Sequence, residues 1–263
     1  MTLPHIQAFD LQHAKALRGL WFCGDIHGYF KHLMRTLAVT PEHNLPTHVI
    51  FLGDQDLERP FDEYLGPMSR QWPSVSYAYI LGNHDSDSWA KYEYLTGSAI
   101  AQSLDGKVTT LNGIRIAGLG GFFLDRVWYP PESPKLASAS AAIMRGAFQY
   151  RGGQRPSSQY LTAIYPEVLD QLSKHQADIL LTHEAPGCHP LYGHEILSDV
   201  ARSMGVIRSF HGHTHDDHTS IYRETTGARG YDAITTSRLL PHPLPDDLDF
   251  FIIRRGFHRL YRF

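Results

Sequence analysis

Leu20-Trp21-Phe22-Cys23-Gly24-Asp25-Ile26-His27-Gly28 runs from four apolar residues straight into a polar turn framed by glycines. A short apolar run with punctuation directly after it reads as a buried strand that ends in a loop. The same form recurs where His48–Leu52 meets Gly53-Asp54, and where Ser76–Leu81 meets Gly82-Asn83-His84-Asp85. Between the first two runs, Phe30, Leu33, Met34 and Leu37 are spaced as on a helix over Tyr29–Val39, with Pro41 beyond its end. Strand, loop, helix and strand in this order predict a parallel crossover unit.

Further along, the pattern predicts a helix over Ser88–Leu104 and a hairpin over Val108–Leu119 turning at Asn112-Gly113. A helix over Tyr160–His175 leads to the strand Ile179–Thr182, which ends at His183. Glu195–Met204 reads as a helix and Val206–His211 as a strand, with closing strands at Ile221–Tyr222, Asp232–Thr236 and Phe250–Arg254. The rhythm breaks over 122–160, where Pro130, Pro131, Pro134 and Pro156 mix with Arg126, Lys135, Arg145, Arg151 and Arg155. This stretch reads as an insertion or cap within one domain spanning 1–263. Trp128, Tyr129 and the nearby arginines form a substrate lid in one reading and a packing or interface surface in the other.

Composition sets the outer bounds. A 263-residue chain with 42% hydrophobic and 19% charged residues has the make-up of an ordinary globular protein with a full core. The formal charge of -3 argues against a generic nucleic-acid or acidic-membrane binder, which neutralises many phosphates with Lys and Arg. Met1–Leu20 lacks the apolar centre of a signal peptide, and no stretch approaches the ~18 apolar residues of a membrane span. Two cysteines, Cys23 and Cys188, give no disulfide framework and point to a reducing, cytoplasmic setting. Histidine stands out at 17 residues, several of them in glycine-containing turns, which suggests metal ligation.

Five motifs close the predicted strands: Gly24-Asp25-Ile26-His27-Gly28, Gly53-Asp54, Gly82-Asn83-His84-Asp85, Thr182-His183 and Gly212-His213-Thr214-His215. Loops at strand ends are where parallel crossover architectures collect their active sites. Most of the motifs are weak alone, since Gly-Asp after a strand is usually just a turn; the strongest are Gly82-Asn83-His84-Asp85 and Gly212-His213-Thr214-His215.

Together and in this order, from Asp25 to His215, the motifs resemble the calcineurin-like metallophosphoesterase superfamily. The resemblance implies an α/β fold, a two-sheet β-sandwich flanked by helices, with a dimetal site at the strand ends. It implies that Asp25, His27 and His215 hold one divalent ion, that Asp54 bridges, and that Asn83, His183 and His213 complete the second site. Carboxylate, imidazole and amide donors suit manganese, the leading expectation, as well as iron or zinc. The resemblance further implies that the two ions would lower the pKa of a bound water, whose hydroxide form would attack phosphorus in line.

In the family, the residue matching His84 sits beside the leaving oxygen, which makes His84 the candidate general acid, with Asp85 expected to orient it. Asn83 also faces substrate in this reading. The first motif resembles those of phosphoprotein phosphatases and bacterial dinucleoside tetraphosphatases, whose second motif carries a phosphate-gripping arginine. Arg59 stands one residue later than that pattern, so substrate binding and a plain surface position are equal readings for it. The implied reaction is hydrolysis of a phosphate monoester on a phosphoprotein or small metabolite. Alternatives are a phosphodiesterase or dinucleoside polyphosphate hydrolase, and a non-catalytic scaffold. Cys23 reads as a buried strand residue, Cys188 as a loop thiol, His211 as facing away from the metals and His218 as a surface residue.

Overall fold

Leu20–Cys23 (β1) is buried along its whole length and pairs in parallel with His48–Leu52 (β2), which pairs in parallel with Ser76–Ile80 (β3). The structure is a computed structural model describing residue 16, residues 19–149 and 156–215, and the backbone of residues 232–235, 241–243, 250–254 and 257–261. Strands buried on both faces carry near-continuous apolar runs, which is why β1 and β2 lack alternation. Leu20, Phe22, Ile50 and Leu52 face a second sheet, while Trp21, Cys23, Val49 and Phe51 face the helices Lys31–Val39 (α1) and Phe61–Gln71 (α2).

The sequence pattern does not announce α2. Phe61, Leu65 and Met68 do recur at helical spacing, but Gly66 and Pro67 interrupt the pattern, and tertiary burial of those three residues holds the helix against them. The helix expected over Ser88–Leu104 is shorter in the structure. Ser88 caps Trp89–Thr96 (α3), accepting from Lys91 N at 3.2 Å, and the helix stops at Gly97. Asp62 then accepts from Ala99 N and Ile100 N, and the chain continues extended as Ala101–Ser103 (β4), parallel to β3.

The second sheet opens with the expected hairpin, Lys107–Leu111 (β5) against Ile114–Leu119 (β6). Asn112 and Gly113 both take positive φ, 51° and 80°, as a type I′ turn requires. Ile179–Thr182 (β7), Arg208–His211 (β8) and Asp232–Thr235 (β9) follow in parallel, giving the order β5-β6-β7-β8-β9. Pro241–Pro243 (β10) joins the other edge, so the first sheet reads β10-β1-β2-β3-β4. Phe250–Arg254 (β11) and Phe257–Tyr261 (β12) form a separate antiparallel pair. The expected strand Ile221–Tyr222 and His218 lie outside the described residues.

Phe22 of one sheet stacks on Phe210 of the other with ring centroids 4.1 Å apart, at the centre of the apolar layer between the sheets. The outer face of the second sheet carries Pro166–Leu172 (α5) and Glu195–Ser203 (α6). In place of the helix expected from Tyr160 to His175, a short 3₁₀ turn over Ser158–Leu161 precedes α5, whose first residue is Pro166. The described part of 122–160, residues 122–149 and 156–160, also packs here. Phe123, Leu124, Val127, Trp128, Leu136 and Ala142, the last within the helix Ala139–Met144 (α4), are buried in the same cluster as Leu119 and Leu169. Among the described residues, no helix is long and apolar enough to cross a membrane.

Candidate metal centre

The loops after β1, β2, β3, β7 and β8 meet at one edge of the two sheets, and their backbone is held in a costly conformation. Asp25, His27, Asp54, His213 and His215 all have φ between 44° and 67°. Left-handed backbone at non-glycine residues costs of order 1–3 kcal/mol each and persists where surrounding structure fixes it, characteristically at functional sites. Here the fixing is explicit: His27 N donates to Asp54 O at 3.0 Å, His213 N to Asp25 Oδ1 at 2.9 Å, and His84 N to Asp54 Oδ1 at 2.8 Å. The glycine ahead of Asn83 is a matter of space. A Cβ on Gly82 would stand 2.2 Å from Asp54 N, and one on Gly53 would stand 2.3 Å from His183 Nδ1.

Two groups of donors result. Asp25, His27, Asp54 and His215 bring one ligand atom each within 4.8 Å of one another, and Asp54, His183 and His213 do the same. Asp54 belongs to both. Asn83 reaches the second group through its Oδ1, 2.9 Å from His183 Nε2. Tautomers are fixed from outside: His183 Nδ1 donates to Leu52 O at 2.9 Å, and His27 Nδ1 lies 3.2 Å from Asp56 Oδ2. His27 Nε2 is thereby left buried with no hydrogen-bond partner, 3.9 Å from Asp54 Oδ2. A buried orphan nitrogen aimed at carboxylates fits a metal-ligand position, with Asp56 as the outer partner that orients such a histidine.

The electrostatics point the same way. Burial pushes the Asp25 carboxyl up, but the His215 hydrogen bond, the charges of His183 and His215, and the His213 N–H outweigh it and hold it below its ordinary value. Burial alone would lower His183, yet Asp54 and Asp25 lift it to about 9. His213 falls to about 4, through burial first and then the neighbouring His183 charge. Two buried carboxylates that draw a proton onto an adjacent imidazole make a site suited to cations.

His84 is half-exposed beside this cluster, its ring 5.5 Å from that of His27. The expectation that Asp85 holds it is corrected. His84 Nδ1 lies 2.8 Å from Asp87 Oδ2, while Asp85 is buried and accepts from Gly82 N at 2.8 Å and Asp56 N at 3.0 Å. The cause is the 3₁₀ turn His84–Ser86, in which residues three apart stand on one face. Burial lowers the His84 pKa, but the Asp87 hydrogen bond and the charges of Asp54, Asp87 and Asp56 leave it raised.

Arg59 is not brought to the cluster. Its side chain is 55% exposed, with Nε 3.7 Å from Glu63 Oε2 and the guanidinium carbon 4.4 Å from the Tyr64 ring centre. The one-residue offset places it beside Pro60 at the start of α2, where it joins the helix surface.

Several neighbours are not foreseen by the motifs. Lys91 pairs with Asp56, and its Nζ lies 3.5 Å from Glu58 Oε1. Glu184, buried next to His183, sits 3.8 Å from His213 Nε2 and 3.7 Å from His194 Nε2, and burial lifts its carboxyl to about 7. Only its place beside His183 could have signalled it. His211 is fully buried, with Nδ1 donating to Gly212 O, and Cys23 and Cys188 are both buried. In front of the cluster lies a cleft of about 360 Å³, walled by Asn83, His84, Phe122, Tyr129, Tyr192 and His213 among others.

Residues 19–217 match the family model for calcineurin-like phosphoesterases, and the chain belongs to that family. It is a metal-dependent phosphoester hydrolase of this class, which carries divalent ions in a dinuclear site. A protein of Haemophilus influenzae described only as uncharacterized is 32% identical over 207 residues, 75% of this chain and 84% of that one. The crystal structure of TT1561 of Thermus thermophilus superposes with a TM-score of 0.51 at 13% identity, covering 86% of this chain and 93% of that one. A phosphopantetheinyl hydrolase from Mycobacterium tuberculosis aligns at a TM-score of 0.41 and 18% identity over 74% of this chain and 82% of that one. At 13% identity the likeness to the Thermus structure speaks for the fold alone.

Proposed function

We propose that the protein is a phosphomonoesterase acting on a phosphoprotein or small metabolite, with Asp25, His27 and His215 holding one ion, Asn83, His183 and His213 the other, and Asp54 shared. The observation that carries this reading is the membership of Asp54 in both donor groups. When bound, the ions, with manganese as the expectation and iron or zinc as the alternatives, would supply a water of lowered pKa and positive charge for the phosphoryl oxygens.

The chain's own residues do the rest. Asp56 and the Leu52 carbonyl keep the ligating nitrogens of His27 and His183 turned inward. His84, half-exposed at the cleft and held by Asp87, protonates the departing alkoxide through Nε2. An alkoxide leaves in an alkyl monoester and in an alkyl diester alike, so the choice between them falls to the test below. Arg59 has no part in substrate binding here, and 122–160 serves as a cap built into the domain, since it lines the cleft with Phe122, Phe123 and Tyr129 while filling the core. Two buried thiols are in keeping with a cytoplasmic setting.

The test is activity against para-nitrophenyl phosphate, its bis ester and phosphopeptides after metal removal and after reloading with manganese. Monoester turnover that returns with metal is expected. Full activity in protein shown to be metal-free, or turnover of the bis ester alone, would overturn the reading.

A further inference from the structure

Within 122–160 and its flank lies a second concavity of about 400 Å³, lined by Arg126, Lys135, Arg145, Gln149, Ser157 and Tyr160 among others. Its size falls in the range of about 300–1,000 Å³ typical of small-molecule sites. Three of those side chains are cations. Lys135 Nζ is neutralised by Asp125 Oδ1 at 2.8 Å, but among the described residues neither Arg126 nor Arg145 has a carboxylate partner. Instead, Arg126 Nη2 donates to Gln159 Oε1 at 2.7 Å and its guanidinium carbon lies 5.2 Å from the Tyr160 ring centre, while Arg145 Nη1 donates to the Lys135 carbonyl at 3.3 Å.

Both guanidinium groups are thus held by neutral acceptors and retain further N–H donors, each in the planar fork that fits an oxyanion. Positive charges gathered in one concavity without matching carboxylates repel one another until an anion joins them. Gln159 ties the concavity to the site already described, because it accepts from Arg126 and lines the cleft in front of His84.

We propose that this concavity is an oxyanion subsite that binds a phosphate group, either a second phosphate on the substrate or free phosphate acting as an effector. The substrate source rests on the phosphoesterase reading above; phosphate binding itself does not.

Calorimetric titration of inorganic phosphate into the manganese-loaded protein should reveal two sites, one of which disappears in the Arg126→Gln/Arg145→Gln variant. Arg115→Gln/Arg202→Gln, which removes two surface arginines paired with Asp178 and with Glu195 and Asp199, controls for net charge and should keep both. A series of α,ω-alkanediol bisphosphates against the matching monophosphates then serves as a ruler. At the best spacing, kcat/KM should favour the bisphosphate by about tenfold or more, the scale of one added charge-assisted contact, and the ratio should fall to about one in the double arginine variant.

Loss of a phosphate site together with this ratio assigns the subsite to substrate. Loss of the site with a ratio of one throughout assigns it to free phosphate. Should no ester be hydrolysed while the phosphate site still vanishes in the variant, the subsite stands and the phosphoesterase reading fails. A single phosphate site in the wild type, or two that survive in the double variant, overturns the proposal.

Discussion

His84 Nδ1 lies 2.8 Å from the Asp87 carboxylate, across one turn of 3₁₀ helix, while the adjacent Asp85 points into the core. This pairing separates two acidic residues that sequence adjacency runs together. His84→Asn should lower turnover of alkyl phosphates by roughly 10²- to 10⁴-fold while barely affecting para-nitrophenyl phosphate, whose leaving group needs little protonation. Asp87→Asn should give a smaller loss with the same dependence on leaving group. Steady-state kinetics on a leaving-group series decide it; equal losses across the series would make His84 a phosphate-positioning residue.

Asp85→Asn should behave differently. It leaves one of the two buried N–H groups, Gly82 N or Asp56 N, facing an amide NH₂, which costs about 1–3 kcal/mol. The expected result is lower stability by denaturant titration and weaker metal binding, without a leaving-group trend. A variant as stable as the wild type but selective against poor leaving groups would restore the orienting role to Asp85.

Asp56 contacts His27 Nδ1 and Lys91 but belongs to neither donor group. Asp56→Asn should weaken metal affinity by about 10- to 100-fold, the usual effect of removing an outer-shell carboxylate from a ligating histidine. Competition with a chelator measures it, and an unchanged dissociation constant would remove Asp56 from the metal site's support.

Asp105, at the turn between β4 and β5, accepts from Leu81 N at 3.2 Å and Ser103 Oγ at 3.3 Å, and burial raises its pKa to about 6. Since the unfolded value is about 3.9, the folded state holds this proton between about pH 4 and pH 6. The folded pKa is the higher one, so the stability it contributes is present at the acid end and falls as pH rises through that window. Asp105→Asn cannot ionise and should flatten the stability profile by about 2 kcal/mol between pH 4 and 6.5. Denaturation at the two pH values compares the slopes; identical slopes would mean that Asp105 titrates normally.

Residues that follow their own strand directly were legible in the sequence, because Gly53-Asp54 and Gly82-Asn83 compress strand, close approach and functional side chain into adjacent positions. Asn112-Gly113 was legible for a similar reason, since few dipeptides accept two consecutive positive φ values. Helix α2 was hidden because Gly66 and Pro67 lower its intrinsic propensity while burial of Phe61, Leu65 and Met68, visible only in three dimensions, sustains it. The roles of Asp87, Asp56, Lys91 and Glu184 are hidden for a related reason. A partner three residues away on a 3₁₀ turn, or on another loop, leaves no mark in a linear motif.

Metal stoichiometry in Asp54→Asn decides whether one site binds two ions through a shared Asp54. Elemental analysis after manganese loading should find about two ions per chain in the wild type, as expected for a two-metal clamp. The folded variant should retain fewer than one, with phosphatase activity lost in parallel. Two ions per chain and wild-type turnover in Asp54→Asn would mean that Asp54 is not the shared ligand.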